Sequence, residues 1–100
     1  MSPMPERFNL TYTSGLILQT IAQGLSYGFS IIDHTGLPSG TVYPALRRLE
    51  YAGLVASLWD HKGAEKSGGP PRKYYRLTAS GRERLNLLRD RYPLLEKMAK

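Results

Sequence analysis

Apolar residues recur along this chain in blocks at helical spacing, interrupted by one region where they alternate. Leu16, Ile17, Leu18 and Ile21 form the first block, a broad apolar side for a helix over about Ser14 to Gln23, with Gly24 near its C′ position. Ser26 reads as the N-cap of a second, short helix running to Asp33 or His34, with Phe29, Ile31 and Ile32 buried and Gly36 as its stop. Between Gly36 and Ser39 there is room only for a tight turn. The next block, Val42, Ala45, Leu46 and Leu49, is spaced 3, 1 and 3, which is a single face at 3.6 residues per turn. It predicts a helix from about Ser39 to Gly53. Pro44 falls inside that span, so either the helix holds a proline or its first turn is irregular.

After Gly53 the period changes. Residues 54–59 read as a strand, and the run Lys73-Tyr74-Tyr75-Arg76-Leu77 as its partner. Alternation puts Lys73, Tyr75 and Leu77 on one side and Arg72, Tyr74 and Arg76 on the other, so one of the two adjacent tyrosines faces the core, and Tyr75 is favoured. Gly63 to Pro71, with three glycines and two prolines, predicts a flexible hairpin tip and not a packed element. Thr78 is placed to cap a last helix whose Leu85, Leu87, Leu88, Leu94 and Leu95 supply apolar surface, and Pro93 should bend or break it near Arg91 and Tyr92. Residues 1–9, with Pro3 and Pro5, read as an extended arm. The expected fold is mainly α with a two-stranded β wing: an N-terminal arm (1–12), a winged helix-turn-helix (13–78) and a C-terminal helix (79–100).

Charge sharpens this picture. The net charge of +6 is uneven: residues 1–37 carry −1, residues 38–78 carry +4 and the last 22 carry +3. A basic rear half suits a face that meets a polyanion. The chain has no cysteine, which removes disulfides and thiolate metal sites. No stretch approaches the roughly 18 to 20 apolar residues that span a bilayer, and residues 1–6 lack the order of a signal peptide. The expectation is a cytoplasmic protein, nucleoid-associated when bound to DNA, with no membrane partner. Asp33, His34 and His61 have no metal-ligand spacing, and Lys66-Ser67-Gly68-Gly69-Pro70-Pro71 lacks the spacing of a phosphate-binding loop. No enzyme, metal or cofactor is expected.

The off-core face of the third helix carries the candidate chemistry. A helix in the major groove reads guanine through arginine, and meets base edges or thymine methyls through threonine or tyrosine. Arg47 lies one turn after Tyr43 on an outward strip, and Arg48, about 100° away, is placed for phosphate. Ser39, Gly40 and Thr41 sit near the N-terminus, where free N–H groups suit a phosphate oxygen, and Pro44 completes the set. Two alternatives stay open: a half-buried packing role for Tyr43, and a solvated face with partners such as Glu50 for the arginines. In and beside the wing, His61, Lys62, Lys66, Arg72 and Lys73 suit positioning contacts to phosphates.

The sequence resembles the PadR family of winged-helix transcriptional regulators. The resemblance rests on residues 16–32, on PSGTVYPALRRLEYAGLV from Pro38 to Val55 and on PRKYYRLTASGRERL from Pro71 to Leu85. The family's Gly-Thr-Val-Tyr-Pro block falls on Gly40 to Pro44, followed by Leu46, Leu49 and Glu50; its wing strand and turn fall on Lys73, Tyr74, Tyr75, Leu77, Thr78 and Gly81. The link before Pro38 is shorter than in many members, and the C-terminal region is at the short end.

This resemblance implies a homodimeric, sequence-specific repressor of double-stranded DNA that binds an inverted repeat. In many members a small aromatic or phenolic effector near the dimer interface releases the DNA. It also implies a dimer interface built on a single C-terminal helix, for which Leu88, Tyr92, Leu95 and Met98 form a stripe, covered by Phe8, Leu10 and Tyr12 of the other subunit. Trp59 lies in the first wing strand and not in the tail helix, so the drug-stacking position of compact members is not carried over. The alternative is a winged-helix protein-interaction or assembly module without specific DNA binding.

Overall fold

A computed structural model describes residues 12–62, 66 and 68–95. The chain forms helices α1 (Tyr12–Ala22), α2 (Gly28–Thr35) and α3 (Ser39–Tyr51), strands β1 (Val55–Asp60) and β2 (Arg72–Leu77), and helix α4 (Ala79–Arg91). This is the expected winged helix-turn-helix with a tail helix.

Helix α1 is the central post of the core. Its residues Ser14 to Ile21 are all buried, and α2, α4, α3 and β2 pack around it. Two of its three buried polar side chains bond as follows: Thr20 Oγ1 donates to the Leu16 carbonyl at 2.7 Å, and Gln19 Oε1 accepts from Arg89 Nε of α4 at 2.9 Å. That pairing removes the desolvation cost that an unbonded buried amide carries. Helices α1 and α3 end alike. The Leu25 N–H donates to Thr20 and that of Leu54 to Leu49, with Gly24 (φ 95°) and Gly53 (φ 79°) in the left-handed conformation that this double-bonded C-terminus requires.

The apolar face expected for α3 is the one buried. Val42, Ala45, Leu46 and Leu49 are all in the core. Pro44 lies inside the helix, which settles the alternative left open by the sequence: the helix holds it. Pro44 has no N–H to give the Gly40 carbonyl, but this missing bond falls where Gly40 is exposed and its carbonyl is not sealed from solvent.

Helix α2 departs from expectation. Its N-cap is Tyr27, in extended conformation with no side-chain cap, and Ser26 instead donates from Oγ to the Gly24 carbonyl. Residues 26 and 27 are used by the sheet. Tyr27 forms an isolated antiparallel bridge with Tyr74, and the Ser26 carbonyl accepts from the Tyr75 N–H at 3.0 Å, which pins residues 26 and 27 beside β2. Starting one turn position later rotates Phe29 out of the core, and it is 51% exposed, while Ile31 is buried and Ile32 half-buried.

The hairpin pairs Val55 with Leu77, Ser57 with Tyr75 and Trp59 with Lys73, and Tyr75 is the tyrosine turned to the core. Of the tip residues that are described, His61, Lys62 and Lys66 are in helical conformation. Thr78 caps α4 as expected, accepting from the Gly81 N–H at 3.0 Å. Pro93 ends the helix: Arg91 is its last residue, and a turn from Tyr92 to Leu95 follows, closed by a 2.9 Å backbone bond.

Candidate DNA-binding surface

On α3 the residues expected to contact DNA fall on the side opposite the core. Ser39, Gly40, Arg47 and Arg48 are exposed, Thr41 and Pro44 half-buried, and Tyr43 is 41% exposed. At the N-terminus Pro38 supplies no side-chain cap, and its carbonyl takes the N–H groups of both Thr41 and Val42. The amides of Ser39 and Gly40 precede these. A Cβ placed on Gly40 would meet nothing within 4 Å, so packing inside the chain does not call for glycine there.

Tyr43 packs within the chain while keeping 41% of its surface exposed. Its ring lies on the backbone of α2 at Gly28, where an added Cβ would clash with Cε1 and come within 2.8 Å of the hydroxyl. Gly28 is therefore the seat of Tyr43, and the turn between α2 and α3 is held partly by this contact. Gly28→Ala should displace the ring. The ring can swing outward, so stability should change by about 1 kcal/mol or less, while the Tyr43 resonances in an aromatic NMR spectrum shift strongly. An unmoved Tyr43 would refute the seating.

The Glu50 carboxylate joins recognition helix to wing. Oε2 accepts from Ser57 Oγ of β1 at 2.6 Å, and Oε1 lies 3.8 Å from Lys73 Nζ of β2. The short bond to a charged acceptor is the stronger of the two, since the ion pair is more than a third exposed and screened by solvent. Glu50 is thus turned towards the wing. Tyr75, between helix and wing, has its pKa raised above the ordinary tyrosine value, first by burial and then by the charge of Glu50.

The expected wing cations divide. His61, Lys62 and Lys66 are exposed at the tip. Lys73 is engaged with Glu50 and stands 6.0 Å over the Trp59 ring and 5.8 Å over that of Tyr75. Arg72 stacks its guanidinium 5.3 Å over Phe29. It belongs to a cluster that sequence reasoning missed: Tyr27 stacks on Phe29 at 5.4 Å, lies 6.0 Å from Tyr74 and donates its hydroxyl to Asp60 Oδ2 at 2.5 Å. That bond is the first cause of a raised Tyr27 pKa. The signal was the pair Tyr27-x-Phe29, which alternates as a strand does and opens a helix badly. The cluster ties the start of α2 to the loop end of the two wing strands.

The stripe expected to face a partner packs inside its own chain. Leu88 and Leu95 are buried over Gly15 of α1, where a Cβ would lie 3.4 Å from Leu88 Cδ1 and 3.3 Å from Leu95 Cδ2. Tyr92 meets Tyr12 edge-on at 5.3 Å. The reason is the turn at Pro93, which folds Leu95 back onto α1. Leu87 (62%) and Leu94 (60%) are instead the exposed apolar residues of this end. Phe8, Leu10 and Met98 lie outside the described residues. Among the described residues no helix is long and apolar enough to cross a membrane, and no group of three or more His, Cys, Asp or Glu is placed to hold a metal.

No curated protein matches this chain by sequence. Solved structures do. A PadR family transcription regulator from hypervirulent Clostridium difficile R20291 is 29% identical, with a TM-score of 0.66 over 83% of this chain and 90% of that one. A PadR-like transcriptional regulator from Bacillus cereus ATCC 14579 is 27% identical, with a TM-score of 0.65 over 96% of this chain and 91% of that one. A transcriptional regulator from Clostridium thermocellum is 25% identical, with a TM-score of 0.69 over 97% and 92%. The family model of the PadR-like transcriptional regulators matches residues 17–87, which runs from the first core residues of α1 through the recognition helix and the wing into α4. With that match over most of its length and this winged-helix architecture, the chain belongs to the PadR-like family of transcriptional regulators and is not an enzyme.

Proposed function

We propose that this regulator is a homodimeric repressor that reads an inverted repeat in double-stranded DNA, with α3 in the major groove and the wing against the adjoining backbone. The observation that carries the reading is the division of α3 into two faces. Val42, Ala45, Leu46 and Leu49 hold it in the core, while Thr41, Tyr43, Arg47 and Arg48 are displayed along its other side. Arg47 reads bases, Arg48 takes a phosphate, and the amides of Ser39 and Gly40 receive another phosphate oxygen at the helix N-terminus. Exposed His61, Lys62 and Lys66 follow the neighbouring backbone as positioning contacts.

Residues 13–78 act as the DNA-binding unit and residues 79–100 as the dimerising one. With Leu88 and Leu95 used internally, exposed Leu87 and Leu94 are the apolar groups of the tail that a second subunit covers. Two recognition helices in one dimer then meet half-sites about one duplex turn, roughly 34 Å, apart. A small aromatic or phenolic effector bound near that interface releases the operator, and the protein acts in the cytoplasm, on the nucleoid.

Selection of duplexes from a random library at moderate salt tests this reading. The expected product is an enriched inverted repeat whose half-sites lie on one face of the duplex. A folded protein that enriches no sequence would overturn it, and a stable protein partner in that case would favour an interaction module.

A further inference from the structure

Among the described residues, Trp59 meets the Lys73 ammonium 6.0 Å over its ring and is otherwise largely open. It is 57% exposed near the far end of β1, although an indole is among the largest apolar groups a protein can bury. Its position in the sheet gives it a direction. Paired residues share a face, so Trp59 and Lys73 lie on the same face as Ser57 and Tyr75, and as Val55 and Leu77 before them. That face meets α3: Ser57 and Lys73 both bond Glu50. Trp59 therefore lies on the α3 side of the wing, beside Lys73, in the outermost pair that α3 reaches on that face. The opposite face carries the Tyr27, Tyr74 and Arg72 cluster and is already occupied.

Two lysines lie at Trp59, and the neighbouring carboxylates are engaged, Glu50 by Ser57 and Lys73, and Asp60 by the Tyr27 hydroxyl on the opposite face. Lys73 stands over its ring, and Lys62 follows three residues later in the chain, exposed. An apolar plate set among cations, on the side where helix and wing converge, matches the surface of a sugar-phosphate backbone. Phosphates there would meet lysine, and the deoxyribose between them would meet the ring.

We infer that Trp59 is a DNA-contacting residue, whose indole packs on a deoxyribose at the groove edge beside the one that α3 enters. This rests on the DNA-binding reading given above. The contact is apolar and uncharged, so it adds affinity without releasing a counterion. Covering roughly 60 Å² of the exposed ring, less than the whole of it, corresponds to about tenfold in affinity. It also reads no base, so it strengthens binding to all sequences alike.

Trp59 is the sole tryptophan of the chain, so its emission reports this site alone. The full-length protein is titrated with an unlabelled duplex of about 30 base pairs taken from the library selection, long enough for two half-sites one turn apart. Acrylamide quenching is measured with and without it. Affinity is followed separately with a fluorescein-labelled copy for the wild type, Trp59→Ala and Trp59→Phe, over a salt series, and melting curves confirm that each variant is folded.

The expected result is protection of Trp59 by duplex, with Trp59→Ala weakened about tenfold at an unchanged salt slope and Trp59→Phe between the two. Duplex bound at full affinity by Trp59→Ala, or bound while Trp59 stays open to acrylamide, overturns the inference and leaves the DNA-binding reading standing. Protection that grows with protein concentration in the absence of DNA also overturns it, because a second copy then covers the ring. Folded wild-type protein that binds no duplex overturns both.

Discussion

Gly81→Ala is expected to lower the stability of the protein by about 3 kcal/mol, near the upper end for overpacking. In a chain of this size that corresponds to a melting temperature lower by roughly 10 to 20 °C. The cause is a close approach of two backbones. The first turn of α4 lies directly on Leu54, and an alanine Cβ would overlap the Leu54 carbonyl oxygen, with the carbonyl carbon at 2.9 Å and Cα at 3.3 Å. Nothing flexible stands in the way that could yield. The Leu54 carbonyl accepts the Thr78 N–H at 3.1 Å, and the Leu54 N–H closes the end of α3 through Leu49 at 2.9 Å. The Thr78 hydroxyl holds the same junction from the Gly53 carbonyl at 2.6 Å. Relief requires α4 to lift off, which withdraws Leu85 and Leu88 from the core. Alanine regains about 1 kcal/mol of helix propensity at most, too little to offset this. Thermal unfolding followed by circular dichroism, at one fixed protein concentration, measures the change; an unshifted melting point would mean that α4 does not seat on Leu54. The contrast with Gly28 is instructive, since there the obstacle is the end of a side chain that can move.

The second large effect concerns recognition. Replacing both Arg47 and Arg48 by glutamine should reduce affinity for the selected operator by about 100-fold, on the scale of 1 to 3 kcal/mol for a good bidentate base contact together with one phosphate left without its cation. Both side chains are exposed, so the melting temperature should hardly move. The single variants should separate. Arg47→Gln should relax base preference at one position of each half-site. Arg48→Gln should weaken all duplexes alike and flatten the salt dependence, by about 0.9 in the logarithmic slope for each phosphate no longer neutralised. Fluorescence anisotropy with the operator and a scrambled duplex, over a salt series, checks all three. Unchanged base preference in Arg47→Gln would remove that residue from readout.

Much of this architecture was legible in the amino-acid sequence because its signals are local. The 3-1-3 spacing of Val42, Ala45, Leu46 and Leu49 marks one helical face, alternation marks which of Tyr74 and Tyr75 is buried, and the cap at Thr78 needs only its own next turn. The errors arose where a distant segment decided. Ser26 is a good cap in isolation, but its carbonyl is claimed by Tyr75 some fifty residues later. Phe29 is apolar and at helical spacing, yet Arg72 and Tyr27 give it a place outside the core. The stripe Leu88, Tyr92 and Leu95 was correct as a stripe; only the return of the chain after Pro93 decided that α1 of the same subunit covers it. For the candidate DNA contacts, sequence told which side chains α3 displays. It did not tell that Glu50 reaches Ser57 and lies 3.8 Å from Lys73, because those contacts need the hairpin's place against α3.

The junction between α3 and the wing has a consequence for the DNA. Only Ala52, Gly53 and Leu54 separate the recognition helix from β1, and all three positions are fixed by backbone bonds or by the seat of α4. Glu50 adds a clasp across the same angle. Helix and wing therefore behave as a caliper with a locked jaw and no hinge. Under the proposed reading, a duplex whose groove spacing differs from the setting of this caliper must itself deform to fit, and the energy of that deformation depends on base steps the protein never touches. Part of the operator's identity would then lie in its stiffness, at positions where no side chain reaches a base.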